Sequence, residues 1–197
     1  MLGKFQRNPT ERQTEPMASS LLRIATFLLG ACALLAVSVP SSFALGPTQN
    51  QDGTVVLELV REGSYYYLKH DFKAAIGPYQ KALDFEKQSR TLDKTLWKVL
   101  IDNLGMAYGI TGDLDKAKET FAYGISKDPD YPLFYYNMAC TYGEMKNMDK
   151  AIEYLKLAFD RRENIIKGER MPNPATDSSF KRFMDSEKFQ TALKELK

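Results

Sequence analysis

LGMAYGITGDLDKAKETFAYG, residues 104–124, holds five positions that recur elsewhere in the chain: Gly105, Tyr108, Ala117, Phe121 and Gly124, spaced by 3, 9, 4 and 3 residues. The same spacings return 34 residues later as Ala139, Tyr142, Ala151, Leu155 and Ala158, and 42 residues earlier as Gly63, Tyr66, Ala75, Tyr79 and Ala82. Self-similarity at such a period marks a repeat array, in which one supersecondary unit is copied along the chain. Steps of 3 and 4 keep residues on one face of a helix. The step of 9 spans a turn, read at Lys69-His70-Asp71, Thr111-Gly112-Asp113 and Lys146-Asn147, where Gly112 and Asn147 suit the left-handed conformation that ends a helix. Each unit is therefore expected to be two antiparallel helices that approach closely at the small residues. Tyr66, Tyr108 and Tyr142, with Tyr79, Phe121 and Leu155, fill the space between them.

The middle unit has Leu104-Gly105 ahead of Tyr108, Gly112-Asp113 at the turn, Ala117, Phe121, and Pro129 after the second helix. It resembles the tetratricopeptide repeat. The resemblance implies an all-α chain, a right-handed superhelical solenoid of about three helix-pair repeats (56–90, 98–131 and 132–165, within 54–165). The first unit departs from the pattern, with Glu62 before Gly63, no closing proline and eight extra residues, which predicts a longer second helix or connection through about Arg90. The third unit also lacks the closing proline, and its Tyr135-Tyr136-Asn137-Met138-Ala139-Cys140 resembles the last repeat of many such arrays. Residues 166–197 read as a loop and capping helices. Asp177, Phe180, Phe183, Asp185 and Phe189 resemble the tail that closes bacterial arrays of this family, with Asp177 and Asp185 as expected N-caps. Solenoids need such caps because each unit buries its apolar face only against its neighbours. The expected helices are 54–69, 72–88, 91–110, 114–127, 131–145, 148–165, 178–184 and 186–195.

Ahead of the array, residues 21–39 (LLRIATFLLGACALLAVSV) carry Arg23 as their only charge, and Ser42 and Ala44 follow at small-x-small spacing. This predicts a signal peptide over 1–44, cleaved after Ala44, and a polar linker over 45–53. Met17 is an alternative start that shortens the leader to 28 residues. Two other readings stand beside cleavage. Leu29-Gly30-Ala31-Cys32 resembles a lipobox that would lipidate Cys32, although the following stretch stays apolar. An uncleaved 21–39 segment nearly spans a bilayer. In all three cases the basic residues precede the apolar run, so the body is expected to be extracytoplasmic, periplasmic or secreted, touching a membrane only through the N-terminal segment.

Hydrophobic residues make up 44% and charged residues 26%, as in an ordinary globular protein. Four of the 27 basic and two of the 25 acidic residues fall in the first 44, which leaves the remainder balanced at 23 each, with no basic block. Nucleic-acid binding rests largely on phosphate neutralisation and is not expected. The exported part carries one histidine, His70, in a turn, and one cysteine, Cys140, on a helix of another repeat, so a catalytic pair is not expected. No Cys-x-x-Cys or His-x-x-x-His spacing and no phosphate-binding glycine loop occurs. Neither an enzyme nor a cofactor is expected.

In arrays of this family the first helix of each pair lines the concave surface. Carried over by position, that surface comprises Val60, Ser64, Tyr67 and Leu68, then Val99, Asp102, Met106 and Ile110, then Leu133, Tyr136, Cys140 and Glu144. Each has a second reading, packing against the next repeat or the tail. Asn103 and Asn137 match asparagine positions of the carboxylate-holding co-chaperones of the family, but the lysine and arginine positions do not match. The expected partner is therefore a protein or peptide with an apolar helix or extended segment.

Overall fold

In a computed structural model the described residues are 49–196; the expected leader, its cleavage site and Cys32 lie outside them. Six long helices follow in order: α1 (Gln49–Leu68), α2 (Phe72–Gln88), α3 (Lys94–Ile110), α4 (Leu114–Lys127), α5 (Pro132–Glu144) and α6 (Met148–Phe159). A 3-10 turn at Arg162–Asn164, a second at Ser178–Phe183 and a last helix α7 (Glu187–Glu195) complete the chain, and no strand occurs among the described residues. Each helix packs on its neighbour in sequence, α1 on α2 through α5 on α6. The first helices α1, α3 and α5 also touch one another directly, as an inner row. The described residues form an all-α helical solenoid, as the resemblance implied.

The small residues of the repeat sit where the helices meet. Ala75, Ala117 and Ala151 are wholly buried, as are Tyr79 and Phe121. A Cβ placed on Gly63 would stand 2.5 Å from the ring of Tyr79, and one on Gly105 2.5 Å from the ring of Phe121. No real contact is that short, so each glycine is the condition for its aromatic partner.

The three turns are copies of one motif. Asp71, Asp113 and Asn147 donate their backbone N–H to the carbonyls of Tyr66, Tyr108 and Tyr142 at 3.0, 2.9 and 2.9 Å. His70, Gly112 and Lys146 bond back to Tyr67, Gly109 and Gly143, which is the Schellman closure. The left-handed residue is the one before the polar cap: His70 has φ 60°, Gly112 φ 89° and Lys146 φ 62°. This corrects the expectation for Asn147, which instead caps α6 by accepting from Lys150 N–H at 3.0 Å, as Asp71 and Asp113 cap α2 and α4. Lys146→Gly should therefore stabilise the fold by about 1 kcal/mol, because only glycine adopts that φ without a steric cost. Chemical denaturation of the variant checks this, and a lowered midpoint would contradict the turn geometry.

The eight extra residues of the first unit are spread over three places. Relative to the second unit, three lengthen α2, one the connection after it and four the start of α3. That connection is held by the buried Glu86, whose Oε1 accepts from Thr91 N–H at 2.8 Å, Thr91 Oγ1 at 2.6 Å and Leu92 N–H at 3.0 Å. The next connection is held by buried Asp128, paired with Lys98 at 3.1 Å and Lys94 at 3.3 Å.

Two expectations for the tail change. The second helix of the third unit stops at Phe159 rather than running to 165. Arg161 ends it, donating to the carbonyls of Leu157 and Pro129, each at 2.8 Å, while its guanidinium lies over the ring of Tyr135. Such bonds satisfy carbonyls that a helix end leaves open. Asp185 is not the cap of α7; that position is Ser186, which makes no side-chain cap bond. Asp177 does cap, accepting from Ser179 N–H at 3.0 Å.

Candidate functional site

Seven of the twelve residues expected on the inner row are buried: Val60, Tyr67, Asp102, Met106, Leu133, Tyr136 and Cys140. Ser64, Val99, Ile110 and Glu144 are half-buried, and Leu68 is exposed at 38%. The resemblance assigned them to one surface; what covers them depends on neighbours far along the chain.

Between the first and second units, Tyr79 links the helices. Its hydroxyl donates to Ser64 Oγ at 3.0 Å and accepts from Asn103 Nδ2 at 3.0 Å. Burial pushes the Tyr79 phenol up to about 12, so it stays a neutral donor. Tyr67 packs edge-on against Phe72 and Tyr79, and its own hydroxyl is buried without a hydrogen-bond partner. Between the second and third units, Asn137 Nδ2 donates to Asp102 Oδ1 at 2.7 Å. Tyr131, which precedes α5, donates its hydroxyl to Glu169 in the tail at 2.8 Å, and Lys98 Nζ stands 4.4 Å above its ring centre.

Burial raises the Asp102 carboxyl to about 8, with the nearby charge of Glu169 adding to it and the Asn137 bond opposing it. A carboxyl whose folded value lies above its unfolded one holds its proton more tightly when folded. Its effect is nil below the unfolded value near 4, and stability falls as pH rises from there to about 8. Asp102→Asn keeps the acceptor for Asn137 and removes the titration. The variant should come close to the wild type near pH 4 and exceed it increasingly up to pH 8, with the gap widening by at most about 1.4 kcal/mol per pH unit. Thermal melts across pH 4–8 test this, and parallel curves for both proteins would refute it.

The third unit's stretch of the row meets the tail. Tyr136 donates its hydroxyl to Asp177 Oδ2 at 3.0 Å, and the Cys140 thiol reaches the same oxygen at 3.8 Å. The ring of Phe180 stands edge-on to Tyr136, and Arg182 pairs with Glu144 at 3.6 Å. Burial and the charge of Asp177 push the Cys140 thiol well up, the opposite of what a nucleophilic thiolate requires. Lys98, Asp128 and Glu169 escaped the sequence reading. The Tyr131–Glu169 bond joins residues 38 apart and obeys no repeat spacing.

Apart from Glu144, which pairs with Arg182, the residues of the row that remain accessible are Leu68, with half-buried Ser64, Val99 and Ile110. They offer apolar contact and one hydroxyl, which suits recognition of a polypeptide surface.

Comparison with known families gives a match to the model described as tetratricopeptide repeat, over residues 100–131 and 133–165. These segments contain α4 and most of α3, and then α6 and all of α5 but Pro132, so each match covers one helix pair. No curated protein matches the chain. Repeats of this family are typically non-catalytic and serve as scaffolds that bind other proteins. The matched part, residues 100–165, thus holds two tetratricopeptide repeats, and the helix pair α1–α2 ahead of it has the same spacing and the same turn.

Proposed function

We propose that the chain is an exported adaptor that captures a protein or peptide along its inner row of helices. The observation that carries this reading is the accessible apolar line of Leu68, Val99 and Ile110 on first helices that pack side by side. An amphipathic helix or an extended apolar segment lays its anchors into a line of that kind. Export is supported by the apolar run 21–39, with its basic residues on the N-terminal side and Ser42 and Ala44 after it. Retention by that run or by lipid on Cys32 would make the same scaffold a membrane-held subunit of an envelope assembly.

Tyr67, Met106 and Tyr136 are buried, so truncating them reports on folding before binding. A photo-crosslinking amino acid at Leu68, Val99 or Ile110, compared with one at the outward positions Asp84 and Glu119, tests the reading without opening the core. Adducts from the inner positions alone support it. Adducts from the outer positions alone would move the binding face to the second helices. The mass of the mature N-terminus, with detergent-dependent release from membranes, separates the cleaved from the anchored form.

A further inference from the structure

The wall of the inner row formed by α5 is already occupied by a peptide-like segment of the same chain. Asp177 presents its carboxylate to Tyr136 and Cys140, Phe180 lays its ring against Tyr136, and Arg182 reaches Glu144. The backbone comes just as close: a Cβ on Gly143 would stand 2.6 Å from the carbonyl oxygen of Ser179 and 3.2 Å from the ring of Phe180. Tyr136, Cys140 and Glu144 follow at intervals of four residues, so one helical stripe receives an acid, an aromatic ring and a base in turn. The segment carries them at fixed offsets, Phe180 three residues and Arg182 five residues after Asp177. It is a short 3-10 turn, held to the array by side chains and by one glycine-permitted approach.

Resting on the reading of the inner row as a protein-binding face, we propose that residues 177–183 are an in-cis occupant of the third repeat's wall, which a partner segment of like chemistry must displace. Such a partner carries an acidic residue, an aromatic ring three positions later and a basic residue two positions beyond that. The polar contacts set the order: the carboxylate needs the Tyr136 hydroxyl, the ring needs the Tyr136 face, and the base needs Glu144. The tail competes because its tether holds it at an effective concentration of order millimolar, so a free segment gains the wall only when the tail is weakened or the segment binds better.

The test uses the full chain and a fluorescein-labelled peptide of residues 174–196 as probe. Arg182→Glu places like charges opposite Glu144, and Asp177→Ala removes the carboxylate; both weaken the tail and leave the wall unaltered. Either variant should bind the probe at least about ten-fold more tightly than the wild type in fluorescence anisotropy. Adding Gly143→Ala to either should abolish that binding, because the new methyl group blocks the approach of the probe's Ser179 carbonyl. Arg182→Glu alters an exposed side chain, so its result stands even where Asp177→Ala perturbs the cap. Equal probe affinity for wild type and both tail variants would overturn the proposal, as would binding that survives Gly143→Ala. Failure here with inner-row crosslinking intact removes the displacement step and leaves the adaptor reading standing.

Discussion

Gly105→Leu should cost about 3 kcal/mol, the upper end of what overpacking a close contact costs. Even the first carbon of the new side chain would fall 2.5 Å from two atoms of the Phe121 ring. That ring is wholly buried and has no free direction in which to move, so α3 and α4 must separate. Separation then propagates, because α4 also packs on α5 and α3 on α2. Phe121→Ala on its own should also cost about 3–5 kcal/mol through the cavity it leaves. The double variant should be markedly less destabilised than the sum of the two, since the new side chain fills the space the ring vacates. Gly77 supplies the control: a Cβ there meets nothing within 4 Å, and Gly77→Ala should stabilise exposed helix by about 0.5–1 kcal/mol. Urea unfolding followed by circular dichroism reads all four proteins. An unchanged midpoint for Gly105→Leu would mean that the helix pair is not closed as described.

Phe180→Ala should cost about 3–5 kcal/mol, and the loss should be local. Phe180 is wholly buried, tilted at 5.7 Å against Phe189 and edge-on at 6.2 Å to Tyr136, so it joins the tail to α5. Around that ring the tail also meets the array through the Asp177–Tyr136 bond and the Arg182–Glu144 pair, and α7 adds exposed ion pairs, Lys156–Glu195 and Lys188–Asp149. Surface pairs of this kind contribute under about 1 kcal/mol each and cannot hold the segment in place of the ring. Each unit of a solenoid contacts only its neighbours, so opening the cap leaves α1–α4 folded. Hydrogen exchange should show residues 178–195 losing protection while the amides of α3 and α4 keep theirs. Global loss of protection at the same denaturant concentration would show that the cap and the array unfold as one cooperative unit.

The repeat itself was legible because its cause is local. A glycine or alanine opposite a large ring, three or four residues from the next face position, is a statement about helix geometry, and helix geometry is read along the chain. Hence the six helices and their close approach at the small residues followed from spacing, while the structure supplied the pairing of Gly105 with Phe121 and Gly63 with Tyr79. The turn was read one residue late in the third unit because asparagine has a good left-handed propensity and lysine a poor one. The hydrogen bonds of the Schellman closure decided otherwise and put Lys146 in the left-handed position, leaving Asn147 to cap α6.

The accessibility of the inner row was not legible in the same way. Tyr136, Cys140 and Glu144 have the spacing of a groove, and what lies on them is a segment some 40 residues away. Asp102 entered the row by position alone; Asn137 of the next unit and Glu169 of the tail determine its state. By itself, then, the sequence determined the helices and their pairing, since these depend on contacts within one turn or one unit, and it only nominated residues for the inner row. Only the tertiary structure decided which of those residues are covered and by what, because the tail reaches its site through contacts that no period encodes.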